Sequence, residues 1–133
     1  MKRSIILIMA AALLASSCGT SSGVRASRSN EIASIEIASS YSDVYSFLNG
    51  RVPGLYIDGR SLSIRGSDVE PLIIYDGVRM YDLDAILPMD IYSVKVRSTD
   101  AMSIYGMQAE GGALEITSRH QHQMDAAAKK ANQ

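Results

Sequence analysis

Glu70-Pro71-Leu72-Ile73-Ile74-Tyr75-Asp76-Gly77-Val78 packs a strand, a turn and a return strand into nine residues. The apolar run Leu72 to Tyr75 suits a strand covered on both faces. Pro71 has no N–H to give to a ladder, so it fits the strand's first position. Asp76-Gly77 is a two-residue hairpin signal, because both turn positions need positive φ. Val78 to Tyr81 then returns alongside.

The chain on either side divides into short elements separated by turn signals. Upstream, Ala33, Ile35 and Ile37 alternate as one face of a predicted strand. Ser40 to Asn49 reads as a helix, with Val44, Phe47 and Leu48 at i, i+3 and i+4, Ser40 as its N-cap and Gly50 as its stop. Leu55 and Ile57 share one strand face, Asp58 to Ser61 turns the chain, and Leu62 and Ile64 share the return face. Downstream, a short helical turn through Leu83 and Ile86 ends before Pro88. Asp82 and Asp84 read as caps of that turn rather than as calcium ligands, which would need six or more oxygens. Tyr92, Val94 and Val96 alternate in a half-buried strand, and Tyr92 and Tyr105 read as core. Asp100 to Tyr105 is a short helix stopped by Gly106, and Gly111-Gly112 opens a last strand with Leu114 and Ile116 inward. The sum is a single small α+β domain over 31–119, a mixed sheet of short strands and hairpins with two or three short helices. Residues 120–133 read as a polar tail with some helix tendency from Asp125 to Ala131.

Of 133 residues, 47% are hydrophobic, too many for a disordered chain, and part of that content lies in an N-terminal run. Lys2 and Arg3 precede the apolar stretch Ile5 to Leu14, followed by Ala15-Ser16-Ser17-Cys18. A basic start, a short apolar core and small residues before a cleavage point describe a secretory signal over 1–17. The apolar core is too short to span a bilayer, which takes about 20 residues. Cys18 stands where a bacterial lipoprotein carries its acylated cysteine, so it is the expected lipidation site. An exposed lone thiol in an oxidising compartment is otherwise a liability. The Ser- and Gly-rich residues 18–30 read as a tether. No acidic cluster follows Cys18, which favours attachment facing the periplasm. Lys2 and Arg3 leave with the leader, so 11 of the 13 basic residues remain against 14 acidic ones, near −3. That balance argues against nucleic acid as a partner. One cysteine excludes a disulfide framework and a cysteine zinc site.

Several of these motifs, in this order, resemble the plug domain of TonB-dependent outer-membrane transporters of the SusC/RagA type. The resemblance rests on Phe47-Leu48-Asn49-Gly50-Arg51-Val52-Pro53-Gly54, Leu62-Ser63-Ile64-Arg65-Gly66 and the Glu70 to Val78 run. It continues through Leu87-Pro88-Met89-Asp90-Ile91, Ala101-Met102-Ser103-Ile104-Tyr105-Gly106 and Gly111 to Thr117. It covers 31–119. The matched residues determine turns and strand starts; none is catalytic. The length leaves no room for a transporter barrel of twenty-odd strands, and no TonB box is evident between Cys18 and Glu31.

Together with the expected anchor at Cys18, the resemblance implies a lipid-anchored, stand-alone plug-like domain at the outer membrane. Its expected partners are the membrane, through the anchor, and a barrel or accessory protein of a TonB-dependent nutrient-uptake system. Tyr56, Arg60, Arg65 and Arg79 are the candidate interface, since residues on the turns and outer strands of a plug face the barrel wall. The alternative is a lipoprotein that binds an oligosaccharide, peptide or metal chelate through loops near 66–70 and 98–103. His120, His122 and Met124 offer imidazole and thioether donors, but a solvated tail is the expected reading and no metal or other cofactor is implied. No histidine lies within 31–119 to activate a serine, and no paired acids or phosphate loop are evident, so no enzyme is expected.

Overall fold

The computed structural model describes residues 31–132. The elements run α1 (Ile35–Ser39), α2 (Val44–Leu48), β1 (Leu55–Asp58), β2 (Ser61–Ile64), β3 (Leu72–Tyr75), β4 (Val78–Met80), β5 (Ile91–Arg97), α3 (Ala101–Tyr105), β6 (Ala113–Ser118) and α4 (Arg119–Ala131). Short 3-10 turns occupy Pro88–Asp90 and Gly106–Ala109. The domain is α+β, as expected. Its strands form two sheets: the hairpin β1-β2 and a four-stranded sheet in the order β4-β3-β6-β5. β3 and β6 are parallel neighbours, while β4 and β5 flank them antiparallel.

The hairpins follow from their turns. Asp76 and Gly77 both take positive φ, at 49° and 83°, and Tyr75 pairs with Val78 across them. Leu72, Ile73 and Ile74 are all buried, the outcome of covering one strand on both faces. Cross-strand register assigns those faces. Ile73 lies beside Leu114, which lies opposite Val96, and Tyr75 beside Ile116, opposite Val94. This face meets Val44, Phe47 and Leu48 of α2, Leu62 and Ile64 of the β1-β2 hairpin, and Leu83 and Ile86 from the loop between β4 and β5 in the main core. The other face carries Leu72, Ile74 and Ala113, covered by Ala101, Ala109 and Tyr105.

Close packing at the start of β6 explains its two glycines. A Cβ on Gly111 would lie 2.3 Å from the Val69 carbonyl oxygen. At Gly112, φ is +92° and a Cβ would meet the Arg97 carbonyl oxygen at 2.7 Å.

Five expectations are corrected. The alternation at 33–37 is the helix α1: the Ser34 side chain caps the Ile37 N–H, the Ser40 hydroxyl donates to the Ile37 carbonyl, and only Ala38 is buried. Ile35 and Ile37 alternate without a sheet to pair with, so a local capped turn prevails over β propensity. α2 begins at Val44, not near Ser40, because Asp43 takes the N-cap and accepts from the Ser46 N–H at 2.8 Å, while Ser40 closes α1. The turn through Leu83 and Ile86 forms, closed by the Ile86 N–H on the Leu83 carbonyl at 3.0 Å, but Pro88 does not end the helical stretch: it starts a 3-10 turn of its own. The tail is helical from Arg119, capped by Ser118 at its Gln121 N–H; no residue of α4 is buried. With that helix and α1, the described residues hold four α-helices. Tyr45, not Tyr92 or Tyr105, is the buried tyrosine; its hydroxyl accepts the Leu83 N–H at 3.2 Å, which lets a phenol sit in the core.

Candidate interaction surfaces

In the β1-β2 hairpin Tyr56 pairs with Ser63 and alternates away from the buried Leu55 and Leu62. Its ring is 55% exposed. Arg65 follows β2, tied by its backbone N–H to the Gly54 carbonyl at 2.9 Å, with its side chain in solvent. Neither side chain has a hydrogen-bond or ion-pair partner among the described residues. Arg60, at the hairpin turn, pairs with Asp84 and lies over the Tyr45 ring, so it fastens the hairpin to the 81–86 loop. Arg79 lies on the other sheet, where it donates to the Gln108 side-chain oxygen and stands 5.1 Å from the Tyr81 ring centroid. The four candidates therefore split: three on the hairpin and its exit, one on β4.

The two loops considered for ligand contact do come together. A half-open cleft of about 300 Å³ is lined by Arg65, Gly66, Ser67, Ser98, Thr99 and Glu110, among others. Elsewhere the polar part of the sheet's second face carries a network that sequence reading missed. Glu115 accepts from Arg97 Nε and, at 2.7 Å, from the Tyr105 hydroxyl, while Arg97 also pairs with Asp100. Burial pushes the Glu115 carboxyl up, but the Tyr105 hydroxyl and the Arg97 guanidinium outweigh it, and the net displacement is below the usual glutamate range. The bond to Glu115 first, then burial, raises the Tyr105 hydroxyl above the ordinary tyrosine value. Arg97 lies opposite Ala113, one step diagonal to Glu115, so only the register could have exposed this pair.

Two more arginines act as structural ties. Arg51 donates to the Phe47 carbonyl at 2.7 Å and to the Tyr41 hydroxyl at 2.9 Å, capping the end of α2. Arg119 pairs with Glu31 and donates to the carbonyls of Met89 and Ala33, tying the first described residues to the start of α4. In the tail, His122 stacks on Tyr92 at 3.6 Å between centroids. An α-helix turns about 100° per residue, so His120 and His122 point to nearly opposite sides of α4, and Met124 shares a side only with His120. Among the described residues no group of three or more His, Cys, Asp or Glu could hold a metal ion, and no helix is long and apolar enough to cross a membrane. Residues 1–17, Cys18 and the tether lie outside the described residues.

A hairpin rim, an open sheet edge and shallow clefts define a small α+β domain built around surfaces. Residues 24–113 match the model of the TonB-dependent Receptor Plug Domain, and the chain belongs to that family. Membership sets it in the context of TonB-dependent transport at the outer membrane. No curated protein and no solved structure matches the chain.

Proposed function

We propose that this chain is a lipid-anchored plug domain of the SusC/RagA type, acting without enzymatic chemistry as an interaction module or accessory subunit of a TonB-dependent nutrient-uptake system. The observation that carries the reading is the plug fold itself, joined to an outer hairpin face where Tyr56 and Arg65 have no partner among the described residues. An exposed tyrosine beside an unpaired arginine suits a protein contact, since both combine planar apolar surface with donors. The signal-like run Ile5 to Leu14 followed by Cys18 supports the anchor. Several acyl chains, at about 0.8 kcal/mol per buried CH₂, hold a protein on a membrane. The barrel or accessory protein would meet the domain on the periplasmic side.

In-cell cross-linking followed by mass spectrometry of outer-membrane material tests this. One barrel protein linked to the hairpin face, and lost in Cys18→Ser, is the expected result. Tyr56→Ala and Arg65→Ala should each weaken that capture several-fold with Tm unchanged. A folded, abundant protein with no link above background would sink the reading.

The 300 Å³ cleft between the 64–67 and 98–112 segments favours one second reading, a lipoprotein binding a small oligosaccharide, peptide or metal chelate. It predicts saturable binding by the purified chain with no partner present.

A further inference from the structure

The two outer edges of the four-stranded sheet are finished differently. β5 has a register shift between Ile91 and Ser93 and an exposed lysine, Lys95, in mid-strand. The Ile32 N–H bonds to its Tyr92 carbonyl at 2.8 Å, and His122 of α4 stacks on the Tyr92 ring. Bulges, lysines and covering segments are the devices that close an edge to further strands. β4 has no bulge, no lysine and, among the described residues, no bonded covering segment; it is three residues long, and its one mid-strand charge is Arg79. Its register with β3 is unbroken, and among the described residues no loop backbone group bonds to it.

The hairpin geometry identifies the groups that face outward from β4. With a two-residue turn at Asp76-Gly77, Tyr75 and Val78 form the hydrogen-bonded pair next to it, and pairs alternate from there. Arg79, opposite Ile74, falls in the non-bonded position, so its own N–H and C=O both point away from β3. Apolar surface flanks them: Val78 is 64% exposed, Tyr81 84%, and Met107, next to Gln108, 75%.

Charge selects the occupant. The only side-chain acceptor of Arg79 among the described residues is the neutral Gln108, and no carboxylate there lies within ion-pair distance. A second copy paired antiparallel about the centre of this strand would set Arg79 opposite Arg79, and like charges directly across a ladder are destabilising. We infer that the free edge of β4 accepts an extended segment of a partner protein, running antiparallel, with an Asp or Glu opposite Arg79 and an apolar residue on each side of it. The acid then stands beside Arg79 on the Gln108 face. Its neighbours alternate to the other face, over Val78 and Met80. This deepens the interaction-module reading and rests on it.

The test uses the purified full chain in detergent micelles and two labelled synthetic peptides, Thr-Val-Glu-Val-Thr and its lysine-centred twin. Fluorescence anisotropy reads binding, and amide hydrogen exchange locates it. The glutamate peptide is expected to bind at least about tenfold more tightly than the lysine peptide, with protection gained at the Arg79 amide and not at Lys95. Arg79→Glu should invert the preference while the thermal melt stays in place, and Val78→Asp should weaken both peptides. Four results would overturn the inference: no saturable binding, binding indifferent to Arg79→Glu, protection along β5 instead, or a dimer that occupies the edge. Failure here with a barrel still cross-linked in cells removes only the β4 edge. Peptide binding with no partner in cells removes only the accessory-subunit reading.

Discussion

On one side of the four-stranded sheet, Ile73, Leu114, Ile116, Val94 and Val96 meet a continuous apolar core; on the other, Leu72, Ile74 and Ala113 share their face with Arg97, Glu115 and Lys95. The same strands supply both. Leu114 and Glu115 are neighbours in β6, and the pleat alone sends one inward to zero exposure and the other to a half-open polar network. The first face gains from water exclusion, which is indifferent to direction and proton concentration. The second depends on one carboxylate keeping two donors. The two faces should therefore fail differently, the core face by amount and the polar face by pH.

The largest effect belongs to the core face. Leu114→Ala leaves a void among fully buried side chains and should cost about 2–5 kcal/mol, read as a lower denaturant midpoint. An unchanged midpoint would mean that this face is not the domain's main core. Next comes Gly112→Ala, just ahead of strand β6. Its positive φ, the 2.7 Å approach of a Cβ to the Arg97 carbonyl oxygen and the 2.9 Å approach to the Ile64 side chain strain the junction, at about 1–3 kcal/mol. If Gly112→Ala is neutral, the close approach of β6 to β5 and β2 at that point is wrong.

Glu115→Gln separates the faces by chemistry. Its carboxyl is held below the usual glutamate range in the folded domain, so the folded state prefers the charged form. That stabilisation is fully present above the unfolded-state value and is lost as pH falls through the lower folded value. The substitution should cost about 1 kcal/mol at neutral pH, modest because the network is partly open to water, and the penalty should shrink towards zero in acid. Leu114→Ala should show a penalty that is flat across the same window. Chemical denaturation of both variants from pH 7 to pH 3 gives the comparison, and a Glu115→Gln penalty that grows in acid would reverse the assignment.

Legibility followed the range of the forces involved. The Leu72 to Val78 hairpin, the Leu55 to Ile64 hairpin and the Gly112-led strand could be read because their turns and alternation are written in adjacent residues. The helix α1 could not. Ile35 and Ile37 carry a strand's residue types, and the competing Ser34 cap and Ser40 hydroxyl bond are weak local signals that win only where no partner strand arrives. The α4 helix leaves little trace in the sequence, because none of its residues is buried and no apolar stripe marks it. Of the candidate interface, exposure at Tyr56 and Arg65 followed from strand parity, whereas the engagement of Arg60 by Asp84, 24 positions away, and of Arg79 by Gln108, 29 away, needs the tertiary fold. The Arg97–Glu115–Tyr105 network was out of reach for the same reason: it appears only when β5 and β6 are placed in register and α3 is laid over them.

The smallest expected effect asks whether the polar face is a coupled network or a set of separate contacts. Tyr105→Phe keeps the ring that packs on Leu72, Ile74 and Ala113 and removes only the hydroxyl that donates to Glu115 at 2.7 Å. A lost hydrogen bond to a charged acceptor costs about 1–2 kcal/mol when the acceptor is left dry; here water can reach the carboxylate, so the loss should fall at or below the low end. The sharper readout is the Glu115 titration followed by NMR. Removing a donor to the charged form should move the carboxyl up towards the ordinary glutamate value, with Arg97 still holding it partway down. If Arg97 and Tyr105 act independently, the shift in Arg97→Gln should be the same in the presence and absence of the Tyr105 hydroxyl. A smaller shift in the double variant than the two single ones add to would show that each donor positions the carboxylate for the other. That outcome would make the second face a cooperative polar unit fastened to α3.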